Sequence, residues 1–353
     1  MQHGWNATVY RALDADLEHW VSKEGDALVG FTRQAGTRVV AGAPVACRER
    51  LAQVAREFED DAANRGERVC YVCAEERLLG AAPGRYAVVR IGAQPVWDAR
   101  RWAAVFDSQP GLRAQRNRAL NKGVRVERWD TMLVATHPGI AACRSEWLAQ
   151  KRLPRLAFLA YVDFTMAPAT ALLDRRLFVA TRDGRVTAYL VTSPIPGRAG
   201  WLVEQVVRSP DAVNGTVEVL IDETVRSLAA DGASLVTLGL APLAGPQATP
   251  PEAPLAGSQA GSLAAPLTGE HHTGGRPARG GLLGSVRASG SHFYDFAGLE
   301  GFKRKFKPER WESVYLLSRE ARTSARTLYA VGAAFCGGHP ARTLVGGLLR
   351  TVA

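Results

Sequence analysis

Apolar and polar positions in the first third of the chain predict short strands and one long helix. Residues 48–65 carry apolar side chains at helical spacing, with acidic residues on the opposite face, and an Asn-Arg-Gly sequence ends the segment. Apolar runs bounded by turn residues such as Gly-Ala-Pro predict strands. These runs are residues 27–31, 38–41, 69–74 and 85–91.

A second unit repeats this pattern. Apolar runs at 177–180 and 186–191 flank Asp183-Gly184, a dipeptide that favours a tight hairpin turn. Hairpin strands, then a helix and a further strand, occur twice and predict two α/β domains of similar design. The elements predicted after the hairpin are a strand at 201–207, a helix at 214–230 and a buried strand at 233–240.

Residues 241–291 interrupt the pattern with a short internal repeat. Ala-Pro-Leu-Ala-Gly begins at Ala241 and again at Ala253, and Ala-Pro-Leu-Thr-Gly begins at Ala265, so the period is 12 residues. Gly, Pro, Ser and Ala dominate between the repeats. This composition predicts a flexible surface loop over residues 245–290 with no packed core of its own.

Composition excludes disorder, and charge favours an anionic partner. The 353 residues are enough for about two domains, and 46% hydrophobic with 22% charged residues is ordinary for a globular protein. The formal net charge is +10, from 44 Lys and Arg against 34 Asp and Glu. Such an excess favours nucleic acid or an anionic membrane surface and does not choose between them.

The sequence predicts no secretion signal, no membrane-spanning helix and no metal site. Five cysteines and the lack of a secretory signal lead us to expect reduced thiols in the cytosol. Cys70 and Cys73 form a CxxC within a predicted strand, where residues three apart point to opposite faces. No apolar run reaches about 18 residues, the length that a spanning helix needs.

Three segments carry candidate chemistry, and each allows two interpretations. Residues 112–125 hold five cations, among them Arg116 and Lys122, and fit either a solvated helix face or a stripe that contacts phosphates. Glu204 lies in an apolar strand, where desolvation requires a partner or a function. It predicts either a structural pair with Arg208 or a site for an amine-bearing substrate. Asn214 is the predicted N-cap of the following helix.

The third segment, residues 292–308, sets aromatic residues and glycines beside a cluster of cations. One interpretation is a short helix with Phe302 and Phe306 facing the core and the cations in solvent. The other is a mouth for a phosphate of nucleic acid or of a lipid headgroup. The cations are Lys303, Arg304, Lys305 and Lys307.

Three ordered motifs resemble one known family. They are residues 208–218, residues 238–245, and residues 293–312 with their aromatic and basic core. In this order and spacing they resemble the C-terminal catalytic region of the aminoacyl-phosphatidylglycerol synthases (phosphatidylglycerol lysyltransferases). One departure is the strand before Arg208, which reads Glu-Gln-Val-Val where the family has an acidic residue followed by Leu-Met.

The resemblance implies a fold and an activity. It implies an α/β (α+β) fold of two tandem N-acetyltransferase-like (GNAT) domains, each a mixed sheet flanked by helices. It also implies transfer of an amino acid from aminoacyl-tRNA to the headgroup hydroxyl of phosphatidylglycerol, with no cofactor. No P-loop, GxGxxG or acetyl-CoA pyrophosphate loop is visible, which fits a tRNA donor. Two alternatives remain open. One is an acyltransferase of the same fold that acts on a peptide or small amine, and the other is a non-catalytic binder of RNA or anionic lipid.

Carried over by position, the resemblance assigns site residues. Lys303 or Lys305 would hold a phosphate of lipid or tRNA, and Glu204 and Arg208 would line the aminoacyl pocket. Together these four form the predicted catalytic set. The residues expected to shape the site or bind substrate are Asp211, Asn214, Glu218, Tyr294, Arg116 and Lys122.

The predicted layout has a first domain at 1–135 and a catalytic domain at 136–318. Residues 319–353 set arginines among apolar residues, which fits either an interfacial amphipathic helix or a helix packed on the domain. The family's full-length members carry a transmembrane region ahead of this part. Without one, we expect a cytoplasmic protein peripheral on the inner face of the membrane. The oligomeric state is not predicted.

Overall fold

The computed structural model of the protein describes residues 1–82, 84–150, 158–160, 164, 172–242, 244 and 296–338. Its strands are β1 (Glu18–Val21), β2 (Leu28–Gln34), β3 (Thr37–Ala41), β4 (Arg68–Ala74), β5 (Ala87–Asp98), β6 (Arg125–Trp129), β7 (Arg176–Arg182), β8 (Arg185–Ile195), β9 (Gly200–Arg208), β10 (Leu235–Thr237), β11 (Ala241–Pro242) and β12 (Arg310–Ser318). The α-helices are α1 (Leu51–Asn64), α2 (Glu76–Ala81), α3 (Trp102–Asp107), α4 (Pro110–Asn121), α5 (Leu133–Thr136), α6 (Pro138–Ala149), α7 (Thr216–Ala230), α8 (Phe296–Arg304) and α9 (Ala325–Phe335).

All of these strands form one mixed sheet. Its order is β1-β2-β3-β4-β12-β5-β10-β9-β8-β7-β6, and β11 pairs with β5. The two parallel pairs are β3 with β4 and β9 with β10, and a helix joins the strands of each pair, α1 in the first and α7 in the second. An antiparallel hairpin precedes each parallel pair, so the predicted repeat of one α/β design is confirmed.

Strand pairing crosses the predicted domain boundary twice. Strand β12, from residues 310–318, lies between β4 and β5 of the first half. Strand β6, from residues 125–129, lies at the far edge of the second half beside β7. The division at 135/136 stays a prediction, but it does not coincide with the two halves of the sheet.

Aromatic packing on one face of the sheet holds the predicted basic segment in place. Phe306 is buried and its ring stacks on Trp102 at 5.9 Å between centroids. Trp97 donates a hydrogen bond from Nε1 to the Phe306 carbonyl at 2.9 Å. Phe302 packs on the edge of the same core. The interpretation of this segment as a short helix with both phenylalanines toward the core is correct for their burial, although Phe306 follows the last helical residue, Arg304. Its placement of the cations in solvent is wrong for Lys303, which is 5% exposed.

Helix α7 begins one residue later than a cap at Asn214 requires. Its N-cap is Gly215, which has φ +96°, and Asn214 is exposed. The predicted cap at Asn214 is wrong because the chain enters the helix in the left-handed region, which glycine tolerates best. A Cβ at position 215 would also lie 2.0 Å from the Gln115 carbonyl oxygen on α4.

Gly215→Ala is expected to lower the free energy of unfolding by about 2–4 kcal/mol, since backbone strain and a backbone clash add. Chemical denaturation of both proteins measures this loss. Gly184→Ala is the matched control: Gly184 has φ +75° and no atom lies within 4 Å of its ideal Cβ. It should lose only about 1–2 kcal/mol. Equal losses in the two variants would contradict the clash.

The buried CxxC is arranged differently from the prediction. Cys73 has φ +61°, and both Cys70 and Cys73 lie in one core cluster rather than on opposite faces. Burial raises the pKa of each thiol to about 12, which makes both unreactive at neutral pH.

Helix α9 packs on the sheet, as one interpretation of the C-terminal segment predicted. Ala330 and Ala334 are buried in a cluster with Val39 and Leu316. Ser324 caps the helix by accepting a hydrogen bond from the Thr327 N–H. Residues 339–353 and the predicted loop 245–290 lie outside the described residues. Within the described ranges, no helix combines the length and apolar character needed to cross a bilayer.

Candidate active site

The two parallel strands of the second half separate at their carboxyl ends. Strand β10 pairs with β9 only as far as Thr237, which lies opposite Leu202. The chain then continues along β5, which already pairs with β10, and Ala241 pairs with Ala93. Among the described strands, residues 203–208 of β9 therefore pair on one side only, with β8. Of the predicted strand 233–240, only the middle residues, Leu235–Thr237, form a strand.

A β-bulge lies in this one-sided part of β9. Val191 pairs with Gln205 and Thr192 pairs with Val203, so Glu204 is an additional residue opposite β8. A bulge of this kind admits one residue without moving the rest of the strand to the other face.

Glu204 belongs to a buried cluster of four charges. Its carboxylate accepts from Arg175 Nε at 2.9 Å and from Arg175 Nη2 at 3.2 Å. Arg11 Nη1 lies 3.8 Å from Glu204 and 3.0 Å from Asp14. Burial raises the pKa of Asp14 to about 7. The predicted Glu204–Arg208 pair is wrong, because Arg208 is exposed at the strand end while Arg175 fills the buried position.

An open cleft adjoins this cluster. It encloses about 550 Å³, and Arg175 is among its lining residues. The Arg176 guanidinium lies 4.3 Å from the centroid of the Trp201 ring in the same lining. Tyr10 donates a hydrogen bond to Asp174 at 2.7 Å across the cleft wall. The Arg175 side chain thus separates the buried Glu204 cluster from the open cleft.

Lys303 lies on the opposite side of the strand separation and is almost wholly buried. Its Nζ donates to the carbonyl oxygens of Gly239 and Leu240 at 2.8 and 2.7 Å. Burial lowers the pKa of this amine to about 7. These carbonyls belong to the segment that leaves β10, so Lys303 holds the turn that opens the sheet.

Lys305 contacts the first turn of α7. Its ammonium pairs with Glu218 and lies 4.4 Å from the Phe302 ring centroid. Both lysines therefore have protein partners, and phosphate binding by either stays a prediction.

Some of the remaining predicted residues are exposed to solvent, and others pair within the fold. Arg116 pairs at 3.0 Å with the fully buried Asp222, which also accepts from Trp102 Nε1 at 2.9 Å. Lys122 is exposed at the end of α4, so it is free to meet a partner in solvent. Asp211 is exposed and pairs with Arg185 at 3.2 Å. The structure does not bring these groups to Glu204, and Tyr294 lies outside the described residues.

A second buried network escaped sequence reasoning. Glu75 accepts from the Ala7 N–H at 2.7 Å and from Gln94 Nε2 at 3.1 Å. Arg198 reaches Glu75 at 3.4 Å and Glu312 at 2.6 Å. Burial raises the pKa of Glu75 to about 7. The only local signal was an acidic residue directly after a buried strand; its partners come from three distant segments.

A family model described as "Phosphatidylglycerol lysyltransferase, C-terminal" matches residues 2–318. The chain belongs to this family. The resemblance carried by the three sequence motifs is therefore confirmed, and with it membership of a transferase family.

Two related proteins match nearly the whole chain. The phosphatidylglycerol lysyltransferase of Bacillus subtilis is 24% identical over 343 residues, which are 94% of this chain and 35% of that protein. An uncharacterized protein of Corynebacterium glutamicum is 23% identical over 335 residues, 91% of this chain and 38% of its own length. The chain spans little more than a third of these relatives.

Solved structures of the lysyltransferase family share the fold. The C-terminal domain of a putative lysylphosphatidylglycerol synthetase from Agrobacterium fabrum has a TM-score of 0.72 at 19% identity, covering 94% of this chain and 93% of that one. L-PGS from Bacillus licheniformis has a TM-score of 0.71 at 19% identity, covering 94% and 92%. The predicted α/β class of the family's C-terminal region is confirmed.

Proposed function

We propose that this chain transfers an aminoacyl group from aminoacyl-tRNA to the headgroup hydroxyl of phosphatidylglycerol or a related anionic lipid. The separation of β9 from β10 carries the proposal. It leaves one edge of residues 203–208 without a strand partner in the described structure, between the Glu204 cluster and Lys303. Because the chain belongs to a lysyltransferase family, we assign acyl transfer to this open edge of β9.

The reaction mainly requires the protein to position the two substrates. An ester of the donor is exchanged for an ester of the acceptor alcohol, so the bond energies nearly balance. The enzyme must hold the hydroxyl against the ester carbonyl and stabilise the oxyanion that forms. Backbone N–H groups along the open edge of β9 are donors of the kind that suits an oxyanion, because no strand of the described residues pairs with them.

Surface charge supports anionic substrates. The net charge is +10, and Arg113, Arg118, Lys122 and Arg125 are all exposed on or just after α4. Exposed cations can follow the phosphates of tRNA or rest on an anionic bilayer, whereas Arg116 is held by Asp222. We place the protein at the cytoplasmic surface of the membrane on this basis.

The direct test mixes purified protein, radiolabelled aminoacyl-tRNAs and phosphatidylglycerol vesicles. We expect label in the lipid fraction, with loss of signal when vesicles contain only zwitterionic lipid. No label in lipid from any aminoacyl-tRNA, with folded protein, would reject the proposal. Stabilisation by acyl-CoA esters in a thermal shift would instead favour an acyltransferase for a peptide or small amine. Binding to RNA or anionic lipid without turnover would leave only a binding function.

A further inference from the structure

The open cleft beside the Glu204 cluster is lined by more cations than acids. Arg128, Arg175 and Arg176 line it, and Asp174 is the acidic residue of the lining. The Asp174 carboxylate accepts a hydrogen bond from the Tyr10 hydroxyl at 2.7 Å. The Arg175 side chain is only 1% exposed. Arg128 and Arg176 are therefore the cations of this lining that a ligand in the cleft can meet.

Arg128 and Arg176 share one carboxylate. Both guanidinium groups pair through Nη1 with the same oxygen, Oδ2 of Asp231, and the Arg128 distance is 3.2 Å. The Arg128 side chain is 51% exposed and that of Asp231 is 39% exposed, so the group is open to an ion from solution. Burial, and after it the nearby Arg128, lower the pKa of the Arg176 guanidinium. Two cations on one carboxylate leave a positive charge to be matched, and arginine matches phosphate oxygens through paired N–H groups.

Apolar residues complete the lining of the cleft. Pro194, Pro196 and Trp201 lie in it together with Leu173, which is 73% exposed. The Arg176 guanidinium lies 4.3 Å from the Trp201 ring centroid, and the same indole packs against the core, so a nucleobase cannot stack on this ring without displacing Arg176. Cations beside tryptophan and exposed aliphatic groups are typical of surfaces that meet lipid headgroups. The lining thus favours a phosphate that is attached to an apolar molecule.

We propose that Arg128 and Arg176 bind the phosphate of the acceptor phospholipid in this cleft and select an anionic headgroup. The inference rests on the proposed transfer to lipid and assigns its acceptor side to these residues. Arg175 lines the cleft and donates to Glu204 at 2.9 Å, so a headgroup bound here lies one side chain from the Glu204 cluster. A phosphocholine headgroup would bring its own cation toward the two arginines, and like charges repel.

Kinetics with phosphatidylglycerol vesicles test the role of Arg176. We expect Arg176→Met to raise the KM for lipid roughly 10- to 100-fold, the loss of one charge-assisted contact, and to leave the KM for aminoacyl-tRNA unchanged. Arg176→Lys should recover part of the loss, because it keeps the charge without the paired N–H groups. A raised KM for aminoacyl-tRNA with an unchanged KM for lipid would overturn the inference and assign the cleft to phosphates of RNA.

A second variant and a matched control separate this site from general charge. Arg128 is half-exposed, so Arg128→Met should fold normally and raise the KM for lipid roughly 2- to 10-fold. Arg182 lies at the other end of β7 from Arg176, with its side chain 39% exposed and paired with Asp183 at 3.3 Å. Arg182→Met removes the same charge and should leave the KM for lipid unchanged. Equal increases in Arg128→Met and Arg182→Met would show that only net charge matters and would overturn the inference.

Sedimentation with vesicles tests the same site without turnover. We expect the wild type to bind phosphatidylglycerol vesicles more tightly than phosphatidylcholine vesicles. The double variant Arg128→Met with Arg176→Met should bind the anionic vesicles roughly 5- to 30-fold more weakly, and Arg182→Met should bind them as the wild type does. Equal binding by the double variant and the wild type would overturn the inference, whatever the activity. This binding pattern without transfer from any aminoacyl-tRNA would instead reject the proposed function and keep the phosphate site.

Discussion

Arg175→Met is expected to lower the free energy of unfolding by about 3–5 kcal/mol, the loss typical when one partner of a buried ion pair is removed. The Arg175 and Glu204 side chains are 1% and 3% exposed, so water cannot replace the lost guanidinium. Arg11 lies 3.8 Å from Glu204 and compensates only in part. Urea or thermal unfolding measures the change.

Two further variants make this prediction specific. Arg185→Met removes an arginine of an exposed pair, with 53% of its side chain in solvent, and should cost less than about 1 kcal/mol. Adding Glu204→Gln to Arg175→Met should recover part of the loss, because the unpaired charge disappears. If Arg175→Met unfolds like Arg185→Met, the buried cluster does not stabilise the fold.

In the wild type we expect the free energy of unfolding to rise with pH, and Lys303→Met is expected to abolish this rise. Burial lowers the pKa of Lys303 to about 7 in the folded protein, while the unfolded chain still binds this proton until about pH 10. The unfolded state therefore holds more protons between these values, and the wild type gains stability as pH rises. From pH 7 to 9 the gain relative to the variant should be about 2–3 kcal/mol.

The measurement is the free energy of unfolding of both proteins across this pH range. The variant also leaves the carbonyls of Gly239 and Leu240 without their donor, so we expect it to be less stable at pH 9. Lys305→Met is the control, since Lys305 is partly exposed and pairs with Glu218 near the surface. A pH dependence shared by Lys303→Met and the wild type would show that Lys303 stays charged in the fold.

The surroundings of Lys303 and Lys305 could not be predicted from the sequence. Composition identified a basic aromatic segment and left two interpretations open, a solvated helix and a phosphate site. Burial of Phe306 against Trp102 draws α8 onto the sheet and carries Lys303 inward to two carbonyls. Neither interpretation contained a buried amine, because its partners are backbone oxygens and those have no sequence signature.

Glu204 illustrates the same limit for charges. Desolvation predicts from sequence that a carboxylate in an apolar strand needs a partner, and that prediction is correct. The nearest arginine in sequence is not that partner. Arg175 stands 29 positions earlier and reaches Glu204 because β7, β8 and β9 lie side by side.

The sequence by itself determined the local elements and the family. Alternating and helical patterns, and the Asp183-Gly184 turn with both residues at positive φ, act between near neighbours and need no tertiary contact. The tertiary structure alone decided that β12 enters the first half, that β10 parts from β9, and which charges meet in the interior. Those outcomes depend on contacts between distant segments, whose energies no local pattern encodes.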